Sequence, residues 1–132
     1  MDAIETIESF AIEIKQDLEL DEIDLREKQM LLPSIRHKWV GRLIRAKYDR
    51  AKTEKQRKRT IASLMKTAEN LVAGSNRSKF ESVKASDPVR LLDEQLIQYD
   101  LLIEYLDRVT DICTKVGFDV KNLLEIIRLE TT

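Results

Sequence analysis

The chain has 132 residues, of which 36% are charged and 5% aromatic, and it contains only three glycines and two prolines. So few turn-forming residues exclude a β-sandwich or a β-barrel, and no apolar run reaches the roughly 20 residues that a bilayer-spanning helix needs. The net charge of −1 conceals a strong asymmetry along the chain. Residues 1–32 carry a net charge of −7, residues 33–84 carry +11 and residues 85–132 carry −5. A basic block of this size indicates a polyanionic partner.

The acidic first segment predicts two helices. Apolar residues recur at helical spacing over residues 2–18, with Asp2 at the start, where an acid suits the helix dipole. A second, short helix is predicted from Ile23 to Leu31, with Asp21 as its N-cap. The acidic N-terminal helix is a candidate for a protein contact or for an internal counter-charge.

The basic segment predicts one long helix. Pro33 biases Leu32 away from the helical conformation, and a helix can begin again at Pro33 or Ser34. No strong breaker follows before Gly74, so this helix would span about 40 residues and about 60 Å. Its middle, residues 49–60, has Ala51 as its one apolar residue. We therefore expect this stretch to face solvent or a charged ligand rather than a core.

The last third of the chain predicts a loop and two apolar helices. Residues 73–86 contain four serines with one glycine and one asparagine, and are predicted to form a basic loop. Asp87 and Pro88 predict the start of a helix that ends at Gly117, and Asp119 is expected to cap a last short helix over residues 120–129. The predicted fold is all-α, with a long basic helix and an apolar C-terminal helical hairpin. We divide it into residues 1–84, which would bind DNA, and residues 85–132, which would oligomerise.

Residues of the C-terminal helix repeat at alternating steps of three and four, as in a coiled coil. The chain has few aromatic residues for a core of its own, so this seam predicts a homo-oligomer as readily as packing within one chain. The predicted oligomerisation residues are Leu92, Leu96, Tyr99, Ile103, Leu106, Val109 and Cys113. Cys113 is the one cysteine, and we expect it to be a buried packing residue in a reducing, cytosolic environment.

The sequence shows no sign of catalysis. No glycine-rich phosphate loop, nucleophile motif or Cys/His cluster occurs, so we expect no enzyme activity, cofactor or metal. His37 lies between Arg36 and Lys38 and is expected at the surface. Asp107 and Asp111 share one helix face but have no further candidate ligands nearby.

The basic block favours a nucleic acid, whose phosphates would offset its own repulsion. No base-reading motif occurs, so binding is expected to be independent of sequence. Trp39, Tyr48 and Phe80 could stack on unpaired bases, although Trp39 is expected in the core. The predicted DNA-binding residues are Arg45, Arg50, Lys52, Lys55, Arg57, Lys58, Arg59, Lys66, Arg77 and Lys79.

Three alternatives to DNA binding remain. The block could be a solvated helix face, or it could bind an acidic protein as part of a helical scaffold. Binding to a membrane surface would need an apolar face, which residues 49–60 lack.

The chain resembles the UvsY family, the recombination mediators of T-even-type bacteriophages. The segments that carry the resemblance are Met30 to Ser34, Lys38 to Val40, Arg57 to Arg59 and Lys115 to Phe118, in that order and at similar spacing. The tyrosine pair that usually follows the basic motif in the family is missing, and residues 61–65 stand in its place.

This resemblance implies a ring of six or seven helical copies that binds single-stranded DNA. It also implies contacts with the phage recombinase and with the phage single-strand-binding protein, in the cytoplasm of an infected bacterium. Such a mediator would help to load the recombinase onto strands covered by the single-strand-binding protein, without hydrolysing nucleotide.

Overall fold

The computed structural model describes residues 1–20, 24–71 and 74–131, with the side chains of residues 70 and 71 left aside. Within these residues the chain forms four helices and no strand. They are α1 (Ala3–Asp17), α2 (Leu25–Leu71), α3 (Asn76–Lys84) and α4 (Asp87–Thr131). The predicted all-α class is confirmed. No helix of the described part is long and apolar enough to cross a membrane.

The two long helices, α2 and α4, pack antiparallel and in constant register. Arg36 contacts Thr114, Arg50 contacts Asp100, and Arg57 contacts Asp93. Fourteen residues separate the first two contacts on each helix, and seven separate the last two. Equal multiples of seven on both helices are the signature of coiled-coil packing.

The face of α2 that meets α4 follows a seam with alternating steps of three and four residues. Trp39, Leu43, Ala46 and Thr53 are buried on it. Arg50 and Arg57 occupy the same seam, between and after these residues. The long helix therefore has one inward stripe along its length. The stripe is apolar in the first half of the helix and polar and charged in its middle.

Helix α1 completes the core by lying beside both long helices. Ile7, Phe10 and Ile14 pack against a buried cluster formed by Trp39, Leu43, Ala46, Leu102, Leu106, Val109 and Cys113. The Asp2 carboxylate accepts hydrogen bonds from the Ile4 and Glu5 amides and so caps α1, a role beyond the favourable dipole contact predicted for it. The Ala3 amide donates to the Gln98 side chain at 2.8 Å, which ties the start of α1 to α4.

The predicted break at Leu32 and Pro33 is wrong. Helix α2 begins at Leu25 and passes through Pro33, so the short helix predicted from Ile23 to Leu31 is its first part. Leu32, directly before the proline, is buried with Leu25 and Val120, and Ile35, two residues after the proline, packs against the same cluster. Tertiary contacts thus hold the helix across a residue that lacks an amide donor. Asp21 and Ile23 lie outside the described residues.

The predicted hairpin after Gly117 is also wrong, since α4 is continuous from Asp87 to Thr131. Gly117 and Asp119 both lie inside the helix, so Asp119 is not the N-cap of a separate helix. Val116 and Leu124 pack around the fully buried Val120, so both sides of the glycine face the same apolar cluster. Burial of that cluster outweighs the roughly 1 kcal/mol that a glycine costs a helix.

The loop predicted over residues 73–86 contains a helix instead. Gly74 has a positive φ of 144°, which a glycine adopts without strain. The Ser75 hydroxyl then accepts a hydrogen bond from the Ser78 amide and caps α3. Val83 is buried, and its burial favours the helix over a loop of the same composition.

Candidate nucleic-acid interface

The outward face of α2 carries a continuous row of cations. Helical spacing turns these residues away from the seam that meets α4, from its flank at Lys47 to the opposite side at Lys66, and every one of them is exposed. They are Arg45, Lys47, Lys52, Lys55, Lys58, Arg59 and Lys66. The row spans about 32 Å at about 1.5 Å per residue.

The acids of this part of α2, Asp49 and Glu54, lie on the two flanks of the seam, and Glu54 shares its flank with Lys47, seven residues earlier. Asp49 contacts Arg45 at 3.4 Å, and Glu54 contacts Arg50 at 3.1 Å. In the part of the chain that the structure describes, the other six cations of the row form no ion pair within 4 Å. We call these seven residues the outward cationic face.

Two predicted DNA-binding residues point the other way. Arg50 and Arg57 lie on the inward seam, where they donate hydrogen bonds to Asp100 and Asp93 of α4. The side chain of Arg57 is 26% exposed, and Thr53 between the two arginines is 7% exposed. The expectation that residues 49–60 face away from the protein on all sides is therefore wrong for one stripe of the helix.

The acidic helix α1 neutralises another part of the basic block. Glu13 contacts Lys38 and Arg42, and Asp17 contacts Lys38 at 2.6 Å. Hydrogen bonds from Arg42 and then Lys38 hold the pKa of Glu13 below its ordinary value of 4.5. Of the two roles predicted for this helix, the structure shows the internal counter-charge.

The remaining predicted site residues are distributed as follows. Arg45, Lys52, Lys55, Lys58, Arg59 and Lys66 lie together on the outward cationic face. Arg77 is exposed and Lys79 is half-buried, both on α3. Lys47 belongs to the outward cationic face although it was not predicted as a site residue. Projecting the sequence on a helical wheel would have placed Lys47 on the flank that it shares with Glu54, and Arg50 and Arg57 with Trp39.

The residues predicted for oligomerisation lie on the inward side of α4. Leu92, Leu106, Val109 and Cys113 are buried within the chain itself, and Leu96, Tyr99 and Ile103 are half-buried. Their contact with a second copy stays a prediction. The large apolar side chains of α4 that are exposed include Ile97, Phe118, Leu123 and Ile126.

An open groove of about 600 Å³ lies between α2 and α4, with Pro33, Val40, Cys113 and Phe118 among its lining residues. His37 is exposed beside it. Burial, followed by the charge of Asp17, raises the pKa of the Cys113 thiol, which disfavours the reactive thiolate. Among the residues described, no group of three or more histidine, cysteine, aspartate or glutamate side chains could hold a metal ion.

The architecture of the two long helices and α1 is shared with known structures. A crystal structure of the bacteriophage T4 recombination mediator protein UvsY superposes with a TM-score of 0.80, at 18% identity over 94% of this chain and 98% of that one. A second crystal form of the same protein gives a TM-score of 0.77, at 16% identity over 95% of this chain and 97% of that one. The chain has the UvsY fold.

This likeness to UvsY confirms, at the level of the fold, the resemblance noted from the sequence. A third UvsY crystal form gives a TM-score of 0.76 at 16% identity. No protein-family model and no curated protein sequence matches the chain. The relation to UvsY is thus carried by helix lengths, order and packing.

Proposed function

We propose that the protein is a recombination mediator that binds single-stranded DNA through the outward cationic face. The observation that carries the proposal is the row of seven exposed cations, six of which form no ion pair among the described residues, on a chain with the fold of a recombination mediator. Like charges repel one another along a helix. Phosphates from outside relieve this repulsion and release counterions as they bind.

The geometry of the face favours a contact that does not read sequence. Its side chains are long, flexible and cationic, so they suit phosphate oxygens rather than a defined pattern of base edges. Binding would be strengthened by avidity if several copies assemble into a ring of six or seven. In this proposal the assembled protein helps the phage recombinase to replace the phage single-strand-binding protein on DNA.

The first prediction concerns three cations of the outward face, Lys55, Lys58 and Arg59. Changing all three to alanine is expected to weaken binding to single strands of any sequence. Loss of three phosphate contacts would lower the salt slope of log K by about 2, at about 0.7 per contact. Fluorescence anisotropy titrations of a labelled oligonucleotide, repeated at several salt concentrations, measure both effects.

The matched control changes three cations elsewhere, Lys15, Lys115 and Lys121, and is expected to leave the salt slope close to that of the wild type. The outward-face variant is also expected to lengthen the lag of recombinase filament assembly on coated strands. Equal slopes for the two variants would remove the outward face from the proposal. Binding of an acidic protein, with no DNA binding at physiological salt, would support the scaffold function instead.

A further inference from the structure

One exposed aromatic ring lies within the outward cationic face. Tyr48 is 57% exposed and points away from α4, between Arg45 and Lys52 along the helix. The Arg45 guanidinium carbon lies 5.8 Å from the centre of its ring, and the Lys52 ammonium nitrogen lies 5.9 Å from it. A single exposed aromatic residue is common on protein surfaces, so its surroundings decide what it can do.

These surroundings suit a nucleotide. The two cations lie near the outer limit of about 6 Å for attraction to an aromatic ring, so they flank the ring without being held tightly on it. A base can stack on the open ring while its phosphates contact Arg45 and Lys52. A nucleotide thus satisfies the apolar ring and the cations at once.

The other aromatic residues suggested for stacking are less suited. Trp39 is fully buried, packs edge to face on Phe10 at 5.3 Å, and donates its indole N–H to Asp17. Phe80 is 40% exposed but lies on α3, outside the outward cationic face. Phe118, which the sequence did not suggest for stacking, lines the groove between α2 and α4, away from the outward cationic face.

We propose that Tyr48 is a specificity-determining residue, which stacks on an unpaired base and gives the outward face its preference for single strands over duplex. The inference rests on the proposed DNA binding and adds a contact that phosphates alone cannot supply. In a duplex the bases are already stacked on one another, so their faces are closed to the ring. Duplex DNA would then be bound by the cations alone.

The test compares three ligands of equal length. They are a mixed-sequence single strand, an abasic strand that keeps the same sugars and phosphates but lacks the bases, and a duplex. The wild type is expected to bind the normal strand about 5- to 30-fold more tightly than the abasic strand, as base–aromatic stacking typically gives. Tyr48→Leu should abolish that difference and leave the abasic affinity and the salt slope unchanged.

Two further variants act as controls. Tyr48→Phe keeps the ring and should keep the preference, and Phe80→Leu removes an exposed ring from another helix and should also keep it. Because Tyr48 is exposed, its replacement should change the stability of the fold by no more than about 0.5 kcal/mol.

Equal affinity of the wild type for the normal and abasic strands would overturn the stacking role while leaving phosphate binding intact. A Tyr48→Leu variant that keeps the preference but forms an oligomer of different mass would identify the ring as a protein contact. That result would also overturn the stacking role. Absence of binding to every DNA ligand would instead refute the proposed function itself.

Discussion

Arg50 and Arg57 show how a single residue's position on a helix decides its role. Both belong to the basic run of the sequence, yet both face α4 and form ion pairs with its acids. Their neighbours Lys55, Lys58 and Arg59 are exposed and form no ion pair among the described residues. Within a single turn of helix, therefore, one cation holds the fold together and its neighbour is free to meet a phosphate.

This division leads to a prediction about Asp93 and Asp100. Changing both to asparagine removes the charge that holds Arg57 and Arg50, so the two arginines become able to reach phosphates at the edge of the face. The salt slope for single strands is expected to rise by up to about 1.4. The fold should lose only about 1 kcal/mol or less per pair, because the paired side chains are partly exposed.

The control for this double variant is Glu94→Gln with Asp107→Asn, which changes the charge of α4 equally without freeing an arginine. Salt-dependent anisotropy compares the two variants, and urea unfolding gives their stabilities. If both raise affinity alike, the effect comes from net charge alone, and the two arginines do not reach the strand.

At the scale of the element, the two helix breaks predicted in the long helices, at Pro33 and at Gly117, are overridden by burial. Pro33 and Gly117 lie near the same end of the molecule, where Leu25, Leu32 and Val120 form one buried cluster. The free-energy cost of a proline or a glycine inside a helix is about 1 to a few kcal/mol. The cluster holds helix on both sides of each breaker, so the helices continue.

Gly117 offers a direct test of this account. A Cβ atom built on it would meet no atom within 4 Å, and its backbone is helical. Gly117→Ala is therefore expected to stabilise the protein by about 1 kcal/mol, by lowering the entropy of the unfolded chain. Urea unfolding followed by circular dichroism measures the change. A loss of stability would mean that α4 bends or opens at this residue.

Gly74→Ala is the contrasting variant. The backbone of Gly74 has a φ of 144°, which side-chain-bearing residues rarely adopt, so an alanine there is expected to destabilise the protein. The same substitution should thus have opposite effects at the two glycines.

At the scale of the whole molecule, α4 combines a buried inward seam with apolar side chains that stay exposed. Its inward residues are buried by α1 and α2 of the same chain, so they already have partners. Large apolar side chains remain exposed near its C-terminal end, among them Leu123 at 42% and Ile126 at 52%. Exposed apolar residues grouped in this way are typical of an interface.

We therefore predict that the wild type has the mass of several copies in solution at micromolar concentration, and that Leu123→Asp with Ile126→Asp reduces it to one. Light scattering measures the mass, and circular dichroism should show unchanged helix content. Leu91→Asp, at the other end of α4, is the matched control. A wild type that is already a single chain would contradict the predicted assembly and the avidity that it gives to DNA binding.

The sequence by itself determined the helical class, the acidic, basic and acidic order of the segments, and the burial of Trp39 and Cys113. These features depend on composition and on the local spacing of residues, both of which can be read from the amino-acid sequence. The tertiary structure decided which cations of the basic run stay exposed, and whether the long helices continue through Pro33 and Gly117. Both outcomes depend on α4 lying against one stripe of α2, because a helix face becomes inward or outward only when a neighbour packs on it.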